Sequence, residues 1–95
     1  MGKFSLGNLV CTRGVANRCA MDAHFAQKVE ESILRHAVCD WGDLCDEDKQ
    51  VNKEALQEGG RLLSAYYIDD AKAEKIWIIT EWDRSVTTVL FPDEY

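Results

Sequence analysis

The sequence predicts an α+β fold of order β-α-α-β-β-β, with two helices packed on one face of an antiparallel sheet. Three observations carry this. Apolar residues recur at three- and four-residue steps between Asp22 and Ala37, the signature of an amphipathic helix. A second helical segment opens on Asp46-Glu47-Asp48 and stops at Gly59-Gly60, acids at the start and glycine at the end being the usual polarity of a helix. Three apolar runs then follow, separated by hairpin-length polar segments, as in an antiparallel meander. Ninety-five residues, 46% apolar and 29% charged, make one ordinary globular domain, 1–95, rather than a disordered chain.

Taken in order, Phe4–Thr12 reads as a first strand, with Gly7-Asn8 interrupting its alternation as a bulge or turn. Arg13–Arg18 reads as a connector. The first helix spans Asp22–Ala37, with Asp22 as N-cap and Phe25, Ala26, Val29, Ile33, Leu34 and Ala37 as its buried stripe. Cys39–Cys45 is a loop around Trp41-Gly42. The second helix spans Asp46–Glu58, with Val51, Ala55 and Leu56 as a narrow apolar face. Arg61–Ile68, Lys75–Trp82 (buried on both faces) and Val86–Phe91 are the remaining strands, joined by Asp69–Glu74 and Asp83-Arg84-Ser85. Pro92 ends the ladder and leaves a short tail. The expected core is Leu9, Phe25, Val29, Ile33, Leu56, Leu63, Ala65, Ile76, Ile78, Val89 and Leu90.

Charge narrows the function classes. The formal net charge is -6, which argues against a nucleic-acid backbone as direct partner. The acidity is uneven: Cys39–Glu58 holds seven acids and two lysines, whereas residues 1–38 hold five bases and three acids. No apolar run reaches the length of a membrane span, and Met1–Asn8 does not read as a secretory leader, so the expected location is cytoplasmic. Cys11, Cys19, Cys39 and Cys45 are then expected as thiols. Neither His36 with Cys39 nor Cys39 with Cys45 has the paired spacing of a structural zinc site, so no metal and no cofactor are expected.

The run Asp40-Trp41-Gly42-Asp43, Glu47-Asp48, Asn52, Ala55-Leu56 and Gly60–Tyr66, continued in Ile76–Glu81, Asp83–Leu90 and Pro92–Tyr95, resembles a family of short bacterial, plasmid and phage proteins. Its members are labelled "plasmid-related protein" or "type I restriction endonuclease subunit M". The resemblance covers about His36–Tyr95. It implies carriage on a mobile genetic element and carries no established activity. A methyltransferase subunit needs a cofactor-binding domain with a glycine-rich strand–helix turn, which this sequence lacks.

The candidate partner-binding residues are Asp40, Trp41, Asp43, Asp46, Glu47 and Asp48, with Arg84 as a secondary member. The acids read either as a docking surface, as a divalent-cation site joined by Glu81 or Asp83, or simply as a solvated helix start favoured by the helix dipole. Trp41 is either a plug at the end of the core or an exposed anchor. Arg84 either pairs with Glu81 or a helix acid in a tight turn, or serves a site. His36, near a helix C-terminus, is placed to interact with the dipole. A Cys39–His36 nucleophile pair lacks an orienting third group and oxyanion donors, and no catalytic residue is assigned. The expected function is therefore a small acidic protein of a phage or plasmid that binds a host protein or complex with a basic surface. It would inhibit or regulate that target, such as a defence system, by mimicking nucleic-acid charge. The alternatives are a metal-binding domain or a RelE/ParE-like enzyme, the latter by analogy of element order alone. An exposed sheet edge would also admit a homodimer.

Overall fold

The computed structural model describes residues 4–68 and 74–95. The chain runs β1 (Asn8–Cys11), α1 (Arg13–Met21), α2 (Ala23–Ala37), α3 (Asp46–Glu58), β2 (Leu62–Tyr67), β3 (Lys75–Thr80) and β4 (Val86–Leu90), and closes with a 3-10 turn at Pro92–Glu94. The fold is α+β, with one helix more than the sequence predicts. The expected turn Asp69–Glu74 lies outside the described residues over 69–73. The sheet order is β1-β4-β3-β2. The last three strands form the expected antiparallel meander. β1 joins the far side of β4 in parallel, Leu9 beside Thr87 and Cys11 beside Val89, so the sheet is mixed.

The extra helix sits where a connector was expected. Val15 of α1 is fully buried in the main core, and Cys19 packs against that core from the next turn. What starts α1 comes from the other end of the chain. The Glu94 carboxylate accepts from the Gly14 N–H at 3.1 Å and from the Thr12 hydroxyl at 2.5 Å. Those bonds hold its carboxyl below the usual range. The C-terminal tail is thus an ordered cap. α1 and α2 are separated only by Asp22, whose extended backbone breaks the helix and whose carboxylate accepts from the Phe25 N–H at 3.1 Å, as the sequence predicts for an N-cap.

The core lies between the sheet and α1/α2: Val15, Phe25, Val29, Tyr66, Ile68, Ile76, Ile78 and Val89. Several expected core positions differ. Leu9 is 46% exposed because β1 is an edge strand. Leu34 is 69% exposed, and the buried line of α2 is Phe25, Val29, Ser32 and His36 instead. Docking His36 turns the helix so that Leu34 faces out. Val51 is also exposed, and its neighbour Asn52 takes the buried place on α3. β3 ends at Thr80, leaving Trp82 exposed in the turn rather than in a strand.

Candidate functional site

Among the described residues the interior holds a polar chain that the sequence does not announce. His36 Nδ1 contacts Ser64 Oγ, and Nε2 lies 2.9 Å from Thr80 Oγ1. Thr80 Oγ1 is 2.7 Å from Thr87 Oγ1, which donates to the Leu6 carbonyl at 2.7 Å. Each hydroxyl has a single proton, so the directions follow. Thr87 gives its proton to Leu6 and accepts from Thr80. Thr80 therefore accepts from His36 Nε2–H, and Nδ1 accepts from Ser64. The imidazole is neutral with both nitrogens engaged, and burial pushes it down to about 4. Ser64, His36, Thr80 and Thr87 are all fully buried. This excludes the expected dipole interaction of a charged His36, and it leaves no nitrogen to serve Cys39 as a base.

The loop ahead of α3 is consumed by structure. Trp41 is 7% exposed, with its ring 6.3 Å from Phe4 and 5.6 Å from His36; it is the core plug. Asp40 pairs with Arg35, whose Nε donates at 2.8 Å and Nη2 at 3.2 Å, and this holds the Asp40 carboxyl below its ordinary value. Arg35 in turn lies 4.8 Å over the Tyr66 ring, and Tyr66 donates to the Asp40 carbonyl at 2.6 Å. Asp43 accepts from the Tyr67 N–H at 3.2 Å. Gly42 has φ +74° and bridges to Ala65. A Cβ there would stand 2.1 Å from the Ala65 carbonyl oxygen, so only glycine permits this approach.

Arg84 is also structural. Its guanidinium donates to the carbonyls of Gly60 at 2.5 Å, Glu81 at 3.0 Å and Ala55 at 3.1 Å. It closes the C-terminal end of α3, where a cation suits the dipole. Glu81, the expected partner of Arg84, instead lies 3.6 Å from Arg61. Asp83 forms the turn the sequence predicts, accepting from Ser85 N–H at 3.1 Å and Ser85 Oγ at 2.6 Å. Arg84 and the acids at residues 46–48 thus sit at opposite ends of a 13-residue helix, about 18 Å apart along its axis.

Asp46, Glu47 and Asp48 remain exposed on the first turn of α3. The outer face of the helix continues them. Asn52 is the buried position, and Glu47, Val51, Glu54 and Glu58 fall on the opposite side at steps of four, three and four, all exposed. Sequence periodicity could have found this stripe; assigning Val51 to the core concealed it. Among the described residues no three of His, Cys, Asp and Glu converge as a metal-ligand set. The four cysteines form no disulfide. No helix among the described residues is long and apolar enough to cross a membrane. Comparison with protein families, with curated proteins and with solved structures finds no match.

Proposed function

We infer that this chain is a non-enzymatic interaction protein that docks on a basic protein surface through the outer face of α3. The carrying observation is that face itself: Asp46, Glu47 and Asp48 lead into the Glu47-Val51-Glu54-Glu58 stripe. Val51 is 58% exposed in the middle of the glutamates. From Glu47 to Glu58 the carboxylates extend over about 16 Å. An exposed apolar side chain ringed by acids offers a small anchor within a field that accelerates encounter with a cationic groove. His36, by contrast, is fully buried and held by neighbouring hydroxyls. The guanidinium groups of Arg18, Arg35 and Arg84 are held by Glu74, Asp40 and backbone carbonyls. The resemblance to mobile-element proteins suggests a host complex, such as a defence system, as the target, with the acidic stripe standing in for a nucleic-acid backbone.

The test is affinity capture from a bacterial host with intact defence systems. It compares the wild-type chain with a Glu47→Lys/Glu54→Lys/Glu58→Lys variant at low and high salt. A stoichiometric partner that binds wild type at low salt, is lost at high salt and is lost from the variant supports the reading. Equal capture by both chains overturns it. The three positions are exposed, so melting should stay within a few degrees of wild type.

A further inference from the structure

We propose that the open edge of β1 is the seam of a homodimer, in which two copies pair β1 strands antiparallel and extend the sheet to eight strands. The inner side of β1 is occupied: Asn8 N–H donates to Ser85 at 2.9 Å and Thr12 N–H to Val89 at 3.0 Å. Backbone groups alternate along a strand, so the N–H and C=O of Leu9 and Cys11 face away from β4, past the edge. All four residues of β1 are exposed, with Val10 at 44%. Asn8-Leu9-Val10-Cys11-Thr12 contains no charge and no proline, the usual devices that blunt an edge.

The edge is flanked by a second apolar element. Leu34 is exposed on α2, and a groove of about 310 Å³ between α2 and β1 is lined by Leu9, Glu30, Ile33 and Leu34. A lone extended peptide could pair with β1 but would leave Leu34 in water. The occupant must present an open strand edge and an apolar helix stripe at the same height. A second copy, turned by a two-fold axis normal to the sheet, supplies both. The axis passes between the two Val10 residues. Leu9 then exchanges hydrogen bonds with the partner's Cys11, and the α2 helices lie antiparallel across the seam.

Charge permits this contact and no other edge-to-edge contact as well. Each copy carries -6, yet the one charged residue lining the groove beside β1 is Glu30. The acidic helix α3 lies against β2, at the opposite edge of the sheet. With seven inter-strand gaps between the two β2 strands, the acidic helices of the dimer stand about 30 Å apart or more, several screening lengths at physiological salt.

Sedimentation analysis of the full chain, with two sets of variants, tests the seam. The wild type should sediment as a dimer. Leu34→Glu and Leu9→Lys, at exposed positions, should each sediment as a monomer with unchanged circular dichroism. Val10→Cys in a Cys11→Ser background should form a covalent dimer when oxidised glutathione is the oxidant, because facing residues of such a pair lie about 4.5 Å apart, within disulfide reach. A wild-type chain that stays monomeric at all concentrations overturns the proposal. So does a dimer that persists in both Leu34→Glu and Leu9→Lys, or one whose Val10→Cys variant does not cross-link. Glu47→Lys/Glu54→Lys/Glu58→Lys should remain dimeric, which separates this seam from the docking face of α3.

Discussion

The two edges of the sheet are treated in opposite ways. Along β2 the outer backbone is sealed group by group. Asn52 donates its amide to the Leu63 carbonyl at 2.6 Å and accepts from the Leu63 N–H at 3.1 Å. The Ala65 N–H reaches the Trp41 carbonyl at 3.3 Å, and the Ala65 carbonyl accepts from Asp43 N–H at 2.7 Å. Asp43 then accepts from Tyr67 N–H. A helix side chain and a loop backbone act there as a surrogate strand, which removes the edge as a template for pairing. Among the described residues β1 has nothing equivalent: its outward groups border the groove lined by Leu9, Glu30, Ile33 and Leu34. The contrast teaches that this chain can close an edge when closure is needed, so the open one calls for an occupant of its own.

The most severe way to break the contrast is to unseal β2 at its closest approach. Gly42→Ala must place a Cβ 2.1 Å from the Ala65 carbonyl oxygen and 2.6 Å from the Tyr66 ring, at φ +74°. Both obstacles are backbone or core, and neither can yield cheaply. The left-handed backbone and the overpacking together should cost about 4 kcal/mol. Urea denaturation should show either a grossly shifted midpoint or no folded baseline. A midpoint near wild type would mean the 41–43 loop is not what seals the edge.

Acid tests the chain that ties the two edges together. The Ser64–His36–Thr80–Thr87–Leu6 series begins on β2 and ends at the segment leading into β1. Below 6.5 the unfolded chain takes up an imidazole proton that the folded chain refuses until about 4. The unfolded state binds more protons in that window, so stability falls as pH drops from about 6.5 to about 4, and this contribution then stops falling. The total loss is about 3 kcal/mol. Carboxylates held low by partners, Asp40 among them, contribute only at lower pH. His36→Gln, whose amide can donate to Thr80 and accept from Ser64 without titrating, should flatten the profile between pH 6.5 and 4. An equally steep wild-type and variant profile would assign the acid loss elsewhere.

Asn52→Ala is a milder break. It removes both hydrogen bonds to Leu63, but water can reach a strand edge once the amide is gone. The cost should be near the net value of two hydrogen bonds, about 2 kcal/mol. Amide exchange should then quicken at Leu63, while Asn8 and Thr12 across the sheet keep their protection. Uniform quickening at both edges would show that the two edges open as one unit.

How far the sequence reveals this arrangement depends on the range of the interactions. The helix α3, the N-cap at Asp22, the meander and the Asp83 turn all rest on neighbours within a few residues, and periodicity and capping chemistry show them. α1 is invisible locally because its cap, Glu94, is 80 residues from Gly14. Arg84 is misread for the same reason: its acceptors on Ala55 and Gly60 come from another element. Asn52 and Val51 exchange their expected places because hydrophobicity outranks an amide in any sequence pattern, whereas the edge of β2 needs a donor and an acceptor. Of the candidate site, the acids at 46–48 are legible as exposed helix-start residues. That Asp40, Trp41 and Asp43 are spent on the fold is not, since their partners Arg35, His36, Phe4 and Tyr67 converge only in three dimensions.

The smallest effect sharpens the contrast from the open side. Val10→Thr keeps the β-branched shape that a strand favours and adds a hydroxyl at a position 44% exposed. The variant is compared with its parent in the Leu34→Glu background, in which the proposed seam is broken, so only the fold of the single chain is read. There the change in stability should stay under about 0.5 kcal/mol. In the wild-type background the same substitution would put two hydroxyls at the two-fold axis of the proposed seam, and the proposed dimer should weaken. A protein in which Val10→Thr destabilises the monomer as much as the dimer has β1 buried against its own chain, and the two edges are then closed alike.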